Sequence, residues 1–287
     1  MNRNLILIPF LAIAVVTLAC GINLNLLETQ VITGPTVVDE IDVPNLENTS
    51  LPAEITLSVG AGELKLTPGA ADSLVTGEVT YNVKDFKPEV NVSGNQVQIK
   101  QGDLNVEGIP KFEDVVNEWD LKLGNAPMEL SVRAGAYKGV YELGGLTLSQ
   151  LDISDGASDV DLSFSQPNKT ELETFRYTTG ASQVNLSGLA NANADTIVFR
   201  SGAGDYTLDF SGTLVRDLTV DIESAISSIT VIVPEGVSAR VSFSGGFTNV
   251  DIKGGWEKDG SVYVQSGSGP EIRITITMGA GSLKLRN

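Results

Sequence analysis

The chain of 287 residues holds 36 Asp and Glu against 19 Lys and Arg, a formal net charge of −17, with no histidine and a single cysteine. That charge repels phosphate backbones and disfavours nucleic acid as a partner, and it disfavours lying flat on anionic lipid. Without histidine the commonest general base and metal ligand are gone, which leaves Asp, Glu, Lys, Ser, Thr and Tyr for any chemistry and oxygen ligands for any ion.

The first twenty residues read as a bacterial lipoprotein signal. A short charged start with Arg3 is followed by an apolar run from Leu5 to Leu18 and a small residue, Ala19, before Cys20. The run is about 14 residues long, short of the roughly 20 that a membrane-spanning helix needs. Val16-Thr17-Leu18-Ala19-Cys20 resembles a lipobox, with Thr17 where Leu is commoner. The sequence therefore predicts cleavage before Cys20 and acyl chains on its amine and thiol, which anchor the mature protein outside the cytoplasmic membrane. With Cys20 used in this way, no thiolate remains for catalysis, metal binding or a disulfide.

Residues 21–50 are polar and carry Pro35 and Pro44, and they read as a tether with a lead-in strand. From 51 onward one pattern recurs: Gly-Ala-small-polar, then apolar-polar-apolar. It appears at Gly60, Gly156, Gly180, Gly202 and Gly279, with degenerate copies starting at Arg133, Ala225 and Gly246. From 133 to 246 the steps are 23, 24, 22, 23 and 21 residues. A fixed period in this range marks a repeat architecture whose units bury their apolar faces on one another. Thirty glycines and abundant Val, Ile, Leu and Thr point to β structure. The predicted fold is all-β, a right-handed β-solenoid of stacked coils of about 22 residues. An N-terminal β region at 51–130 precedes the solenoid repeats at 131–287.

Two stretches break the period. Between 66 and 129, the alternating Val79-Thr-Tyr81-Asn-Val83 and Val97-Gln-Ile99-Lys read as strands beside the N-terminal end. In the same stretch Phe112, Val115, Val116 and Trp119 have the spacing of one short helix. Gly254 to Pro270 reads as a hairpin with Asp259-Gly260 at its turn. Both stretches suit end caps, which a solenoid needs against edge pairing.

Ile55-Thr-Leu-Ser-Val-Gly-Ala-Gly-Glu-Leu-Lys-Leu-Thr-Pro-Gly69, Leu208-Asp-Phe-Ser-Gly212 and Ile276-Thr-Met-Gly-Ala-Gly281 resemble the toast-rack domain family. The resemblance covers about residues 50 to 287. It implies kinship with the extracytoplasmic portion of LiaF-type cell-envelope stress regulators and with adhesins of β-solenoid type. The chain departs from LiaF in lacking transmembrane helices.

For chemistry the sequence offers little. Asp152, Asp155, Asp159 and Asp161 gather around one corner, but their spacing matches neither an EF-hand loop nor the nonapeptides of calcium-binding β-rolls, and they read as solvated corner charges. Glu171 and Glu173 stand as an acid pair on the wet face of a strand, and Arg200, Arg216 and Arg240 are scattered cations of the kind lyases use. Trp256, in the second insertion, is a candidate interaction anchor whose alternative is to plug the end of the stack. No catalytic residue, metal or cofactor is predicted. The expected function is an envelope binding, structural or adhesive module, anchored to the membrane through Cys20 and meeting an envelope protein or cell-wall glycan. The alternatives are an accessory sensor of envelope stress and, further off, a carbohydrate-acting enzyme.

Overall fold

A computed structural model describes residues 28–47, 51–104, 109–111 and 114–287. They fall in two compact units. In the smaller, β1 (Glu28–Gln30) pairs in parallel with β7 (Ile109–Lys111). The larger contains a sheet of 15 strands, whose body is eight long strands of 15 or 16 residues. These are β3 (Ala53–Pro68), β9 (Met128–Glu142), β10 (Leu148–Ser163), β11 (Leu172–Ser187), β12 (Ala194–Asp209), β13 (Leu218–Ile232), β14 (Ser238–Ile252) and β17 (Glu271–Arg286).

Each long strand is folded into two arms at one residue. The ladder between β10 and β11 pairs Asp155 with Thr179 and then Ala157 with Ala181, skipping Gly156 and Gly180. The same skip falls at Gly60, Gly135, Gly202, Ala225, Gly246 and Gly279. Across the skip the inward side changes parity. On β11, Phe175, Tyr177 and Thr179 face in before the corner, and Ser182, Val184 and Leu186 face in after it. The corners stack so closely that a Cβ on Gly202 would come 2.5 Å from the carbonyl oxygen of Gly180. Seven of the eight corners meet this crowding with glycine, and β13 tolerates Ala225. The fold is the expected all-β solenoid. The degenerate copy placed at Arg133 is shifted, since the ladder sets Gly135 beside the other corner glycines.

The core is the stack of inward positions. On the first arms one ladder runs Ile55, Leu130, Leu151, Phe175, Ile197, Val220, Ile274 and Val241, all buried. On the second arms another runs Leu66, Tyr141, Leu162, Leu186, Leu208, Val231 and Leu285. Burying each such side chain is worth about 1.5–3 kcal/mol, and only the inward ladders of both arms and the return segments together offset the ordering cost of the coils. The return segments close the third side with Phe164, Leu189, Phe210 and Val233, also buried.

Chain order and stacking order part company at both ends. β17 lies between β13 and β14, and the antiparallel hairpin β15 (Trp256–Asp259) and β16 (Val262–Gln265) covers the first arm of β14. Its turn is made by Gly260 and Ser261, with Gly260 at φ 61, and the expected Asp259-Gly260 pair enters it from the end of β15. At the other end β3 sits between β9 and a split layer. In that layer β6 (Gln96–Gln101) pairs the first arm of β3 and β8 (Asn117–Leu123) the second. Antiparallel strands finish this end: β5 (Pro88–Ser93) on β6, β4 (Ser73–Tyr81) on β8, and β2 (Val37–Pro44) on β4. The short helix expected around Val115 and Trp119 is absent. Val115 and Val116 are irregular, while Trp119 lies in β8 opposite Leu64 (Phe112 lies outside the described residues). Trp119, Leu121 and Leu123 alternate at period two and are buried against β3, and that long-range pairing overrides a local helical spacing.

Candidate functional site

The parity change at each corner turns two positions into the core: the residue before the corner glycine and the second residue after it. In β10 and β11 these are Asp155 with Ser158 and Thr179 with Ser182. Asp155 is 8% exposed, not the solvated corner charge expected, because the first arm ends on its inward parity. Its carboxylate accepts hydrogen bonds from the hydroxyls of Tyr177 at 2.8 Å, Tyr137 at 3.3 Å and Thr179. Tyr141 donates to Tyr137 at 2.9 Å, and Thr179 and Ser182 share a hydroxyl contact of 2.5 Å. The Ser158 hydroxyl and backbone N–H both donate to the Ser182 oxygen, at 2.9 and 3.0 Å.

The cluster stabilises a buried anion with hydroxyl donors, the arrangement burial of a charge requires. Burial, followed by the nearby Asp155 and the neighbouring tyrosines, pushes the Tyr137 and Tyr177 hydroxyls far above their ordinary range; Tyr141 is raised for the same first reason. They therefore stay protonated as donors. Room for the rings comes from Gly139, where a Cβ would sit 2.9 Å from Tyr137 and 3.0 Å from Tyr141. Counting inward parity back from each corner glycine, with a glycine between two tyrosines, is the signal in the sequence that marks this slot.

The outward face of the second arms is different. Across β10, β11, β12, β13 and β17 it presents two ladders in register. One is Asp159, Gln183, Asp205, Ser228 and Ser282; the other is Asp161, Asn185, Thr207, Thr230 and Lys284. Gln183, Asn185, Asp205, Thr207, Ser228 and Lys284 line a shallow trough of about 310 Å³. It offers carboxylate, amide, hydroxyl and ammonium groups at the strand spacing of roughly 4.8 Å.

The residues singled out from the sequence do not converge. Asp152 pairs with Arg176 at 3.3 Å on the outside of the first arm, Asp155 is buried, and Asp161 accepts from Asn185 at 2.9 Å on the second-arm face. Among the described residues no group of three or more acids is placed to hold a metal. Glu171 and Glu173 are exposed, and Glu171 is bound to Arg216. Arg200 lies 3.6 Å from Glu223, and Arg240 stands apart, exposed on β14. Trp256 is 8% exposed, and its indole N–H donates to the Arg286 carbonyl at 3.4 Å, so the ring packs over the end of the stack. Cys20 lies outside the described residues, among which no helix is long and apolar enough to cross a membrane.

The model of the N-terminal domain of toast_rack matches residues 32–175, half of the chain. The chain belongs to the toast-rack family. Among solved structures, a protein named as a candidate cell adhesion protein of Clostridium sporogenes is 18% identical, with 88% of this chain and 99% of that one covered and a TM-score of 0.51. A candidate lipid-binding protein of Parabacteroides distasonis is 12% identical over 90% and 99% of the two chains at a TM-score of 0.40. A candidate adhesin of Bacteroides fragilis is 12% identical over the same shares at 0.39. At these identities the likeness of the toast-rack chain to the Clostridium protein is one of fold. No curated protein matches the sequence.

Proposed function

We propose that this toast-rack chain is a non-catalytic binding module of the cell envelope, anchored by lipid on Cys20, whose second-arm trough holds a polar polymer of the cell-wall glycan class. The trough carries the reading. It aligns donors and acceptors of several kinds in register along stacked strands, which suits a ligand with repeating hydroxyl and amide groups. A catalytic alternative would need acid and base side chains converging on one open cleft. Here the buried carboxylate is turned inward and surrounded by hydroxyl donors, and Arg176, Arg200 and Arg216 are each tied to an acid outside the trough. The name of the Clostridium neighbour, a candidate cell adhesion protein, agrees with the proposal.

The test is binding of the full chain to isolated cell-wall material. Changing Asn185, Thr207 and Lys284 to Ala together removes three polar contacts of about 1 kcal/mol each and should weaken binding by about a hundredfold. Undiminished binding would refute the trough. Anchoring is tested separately by membrane fractionation: Cys20→Ala should release the protein, and unchanged membrane association would sink the lipid anchor.

A further inference from the structure

We propose that the chain pairs with a second copy of itself through the second arm of β14, residues 247–252, the two arms meeting antiparallel so that the two sheets continue as one. This goes beyond the trough and does not rest on it. β14 pairs along its whole length with β17, but on its other side β16 covers Ala239 to Ser242 alone. No strand among the described residues covers 247–252 on that side. The direction of the free backbone groups follows from one hydrogen bond: Lys253 N–H donates to the Leu285 carbonyl of β17 at 3.0 Å. In a parallel ladder alternate residues bond to opposite neighbours, so Thr248, Val250 and Ile252 turn their N–H and C=O groups to the open side.

The side chains there are unfinished in the same way. Val250 and Ile252 continue the inward ladders of Leu283 and Leu285, yet they are half-buried where those two are fully buried. The Thr248 hydroxyl is buried without a hydrogen-bond partner. Phe247 is 92% exposed on the corner ridge, and Ile226, in the same row, is 65% exposed.

Charge selects the occupant. Two copies at −17 each repel over most of their surfaces, and association costs least where charge is missing. Residues 224–232, 276–283 and 244–250, three adjacent strands around this corner, hold no charged side chain. The acid on the edge itself, Asp251, is held by Arg286 at 2.5 Å. A head-to-tail stack onto the opposite end would meet guarded edges instead. β2 carries Asp39, Glu40, Asp42 and Pro44, and β5 carries Pro88 and Glu89. An isologous pair avoids them. The register that joins the most open backbone groups sets Val250 on Val250 and Thr248 on Ile252. Inward side chains then meet inward ones, and Asn249 lies across from Asp251 without like-charge contact.

The test uses the full chain in detergent. Asn249→Cys, on the exposed side and near the two-fold axis, should give a covalent dimer with a short bis-maleimide at least tenfold more efficiently than Asn91→Cys on the β5 edge. Sedimentation should show a dimer that Thr248→Pro converts to monomer, because proline there removes an outward N–H and leaves the bonds to β17 in place. If that variant misfolds, the Asn249→Cys result stands alone. A monomer with no crosslink at Asn249→Cys would overturn the proposal. So would equal crosslinking at Asn91→Cys, or capture at Asn249→Cys, in host membranes, of a different protein in place of a second copy.

Discussion

The inner corner is built twice, and differently, in adjacent coils. Under β9 to β11 the slot holds a carboxylate and three tyrosine hydroxyls. Under β12 and β13 it holds serines, with Ser201 donating to Ser224 at 2.9 Å and Ser224 to Ser227 at 2.7 Å. There Gly204 leaves space that the Tyr206 hydroxyl enters to donate to the Ala203 carbonyl at 2.7 Å. The backbone corner is the same, and the glycine that shapes it fixes the volume to be filled. What differs is how much polarity is buried. The carboxylate side makes more hydrogen bonds and leaves more orphans when one member is lost, whereas the serine side is a short chain of weak bonds.

Alkaline titration should separate the two halves most. Tyr137, Tyr141 and Tyr177 have folded values raised above the ordinary 10.0, chiefly by burial. Their contribution is therefore complete below pH 10. It falls as pH rises further, because the unfolded chain releases protons that the fold retains. Stability should drop by about 1.4 kcal/mol per pH unit for each of these groups, and three of the six tyrosines should ionise only together with loss of the β circular dichroism signal. Ionisation of more than three tyrosines with the fold intact would contradict the cluster.

Gly202→Val strikes the corner that both halves share. Its branched side chain would press on the Gly180 carbonyl, and a loss of about 3 kcal/mol is expected, read as a fall in melting temperature. Asp155→Ala should cost about 2–3 kcal/mol by stranding the hydroxyls of Tyr177 and Thr179, with Asp155→Asn milder because it keeps an acceptor. Ser224→Ala, on the serine side, should cost about 1 kcal/mol or less by chemical denaturation. Equal losses for Asp155→Ala and Ser224→Ala would erase the distinction between the two halves.

The repeated corner was legible in the chain because steric demand writes itself as glycine at regular intervals, and the hairpin at Asp259-Gly260 because its turn chemistry is local. The displaced coils were not. Nothing in the composition of β17 distinguishes a neighbour of β13 from a neighbour of β14, since its inward Ile and Leu positions suit both ladders. Trp119 misled for a related reason: its spacing from Val115 and Val116 is helical, while its partner Leu64 lies 55 residues away in the chain. Asp155 was visible as an acid but not as a buried one. Its environment depends on strand parity at the corner, and on tyrosines delivered by two neighbouring coils.

The place of β17 also sets a timetable. The coils from β9 to β13 can add one upon another as the chain emerges, each finding its partner some twenty residues back. β14 cannot. Its seat is made by a strand that is synthesised later, and Ile226 must find Ala280 across the whole β14 to β16 segment. Closing that loop costs only about 0.8 kcal/mol more than a local addition, but it must wait for the later strand and is slower than the additions before it. Folding of this chain should therefore run as a quick zippering followed by one late closure, and a chain interrupted after Gln265 would lose the seating of β14 and its hairpin along with β17 itself.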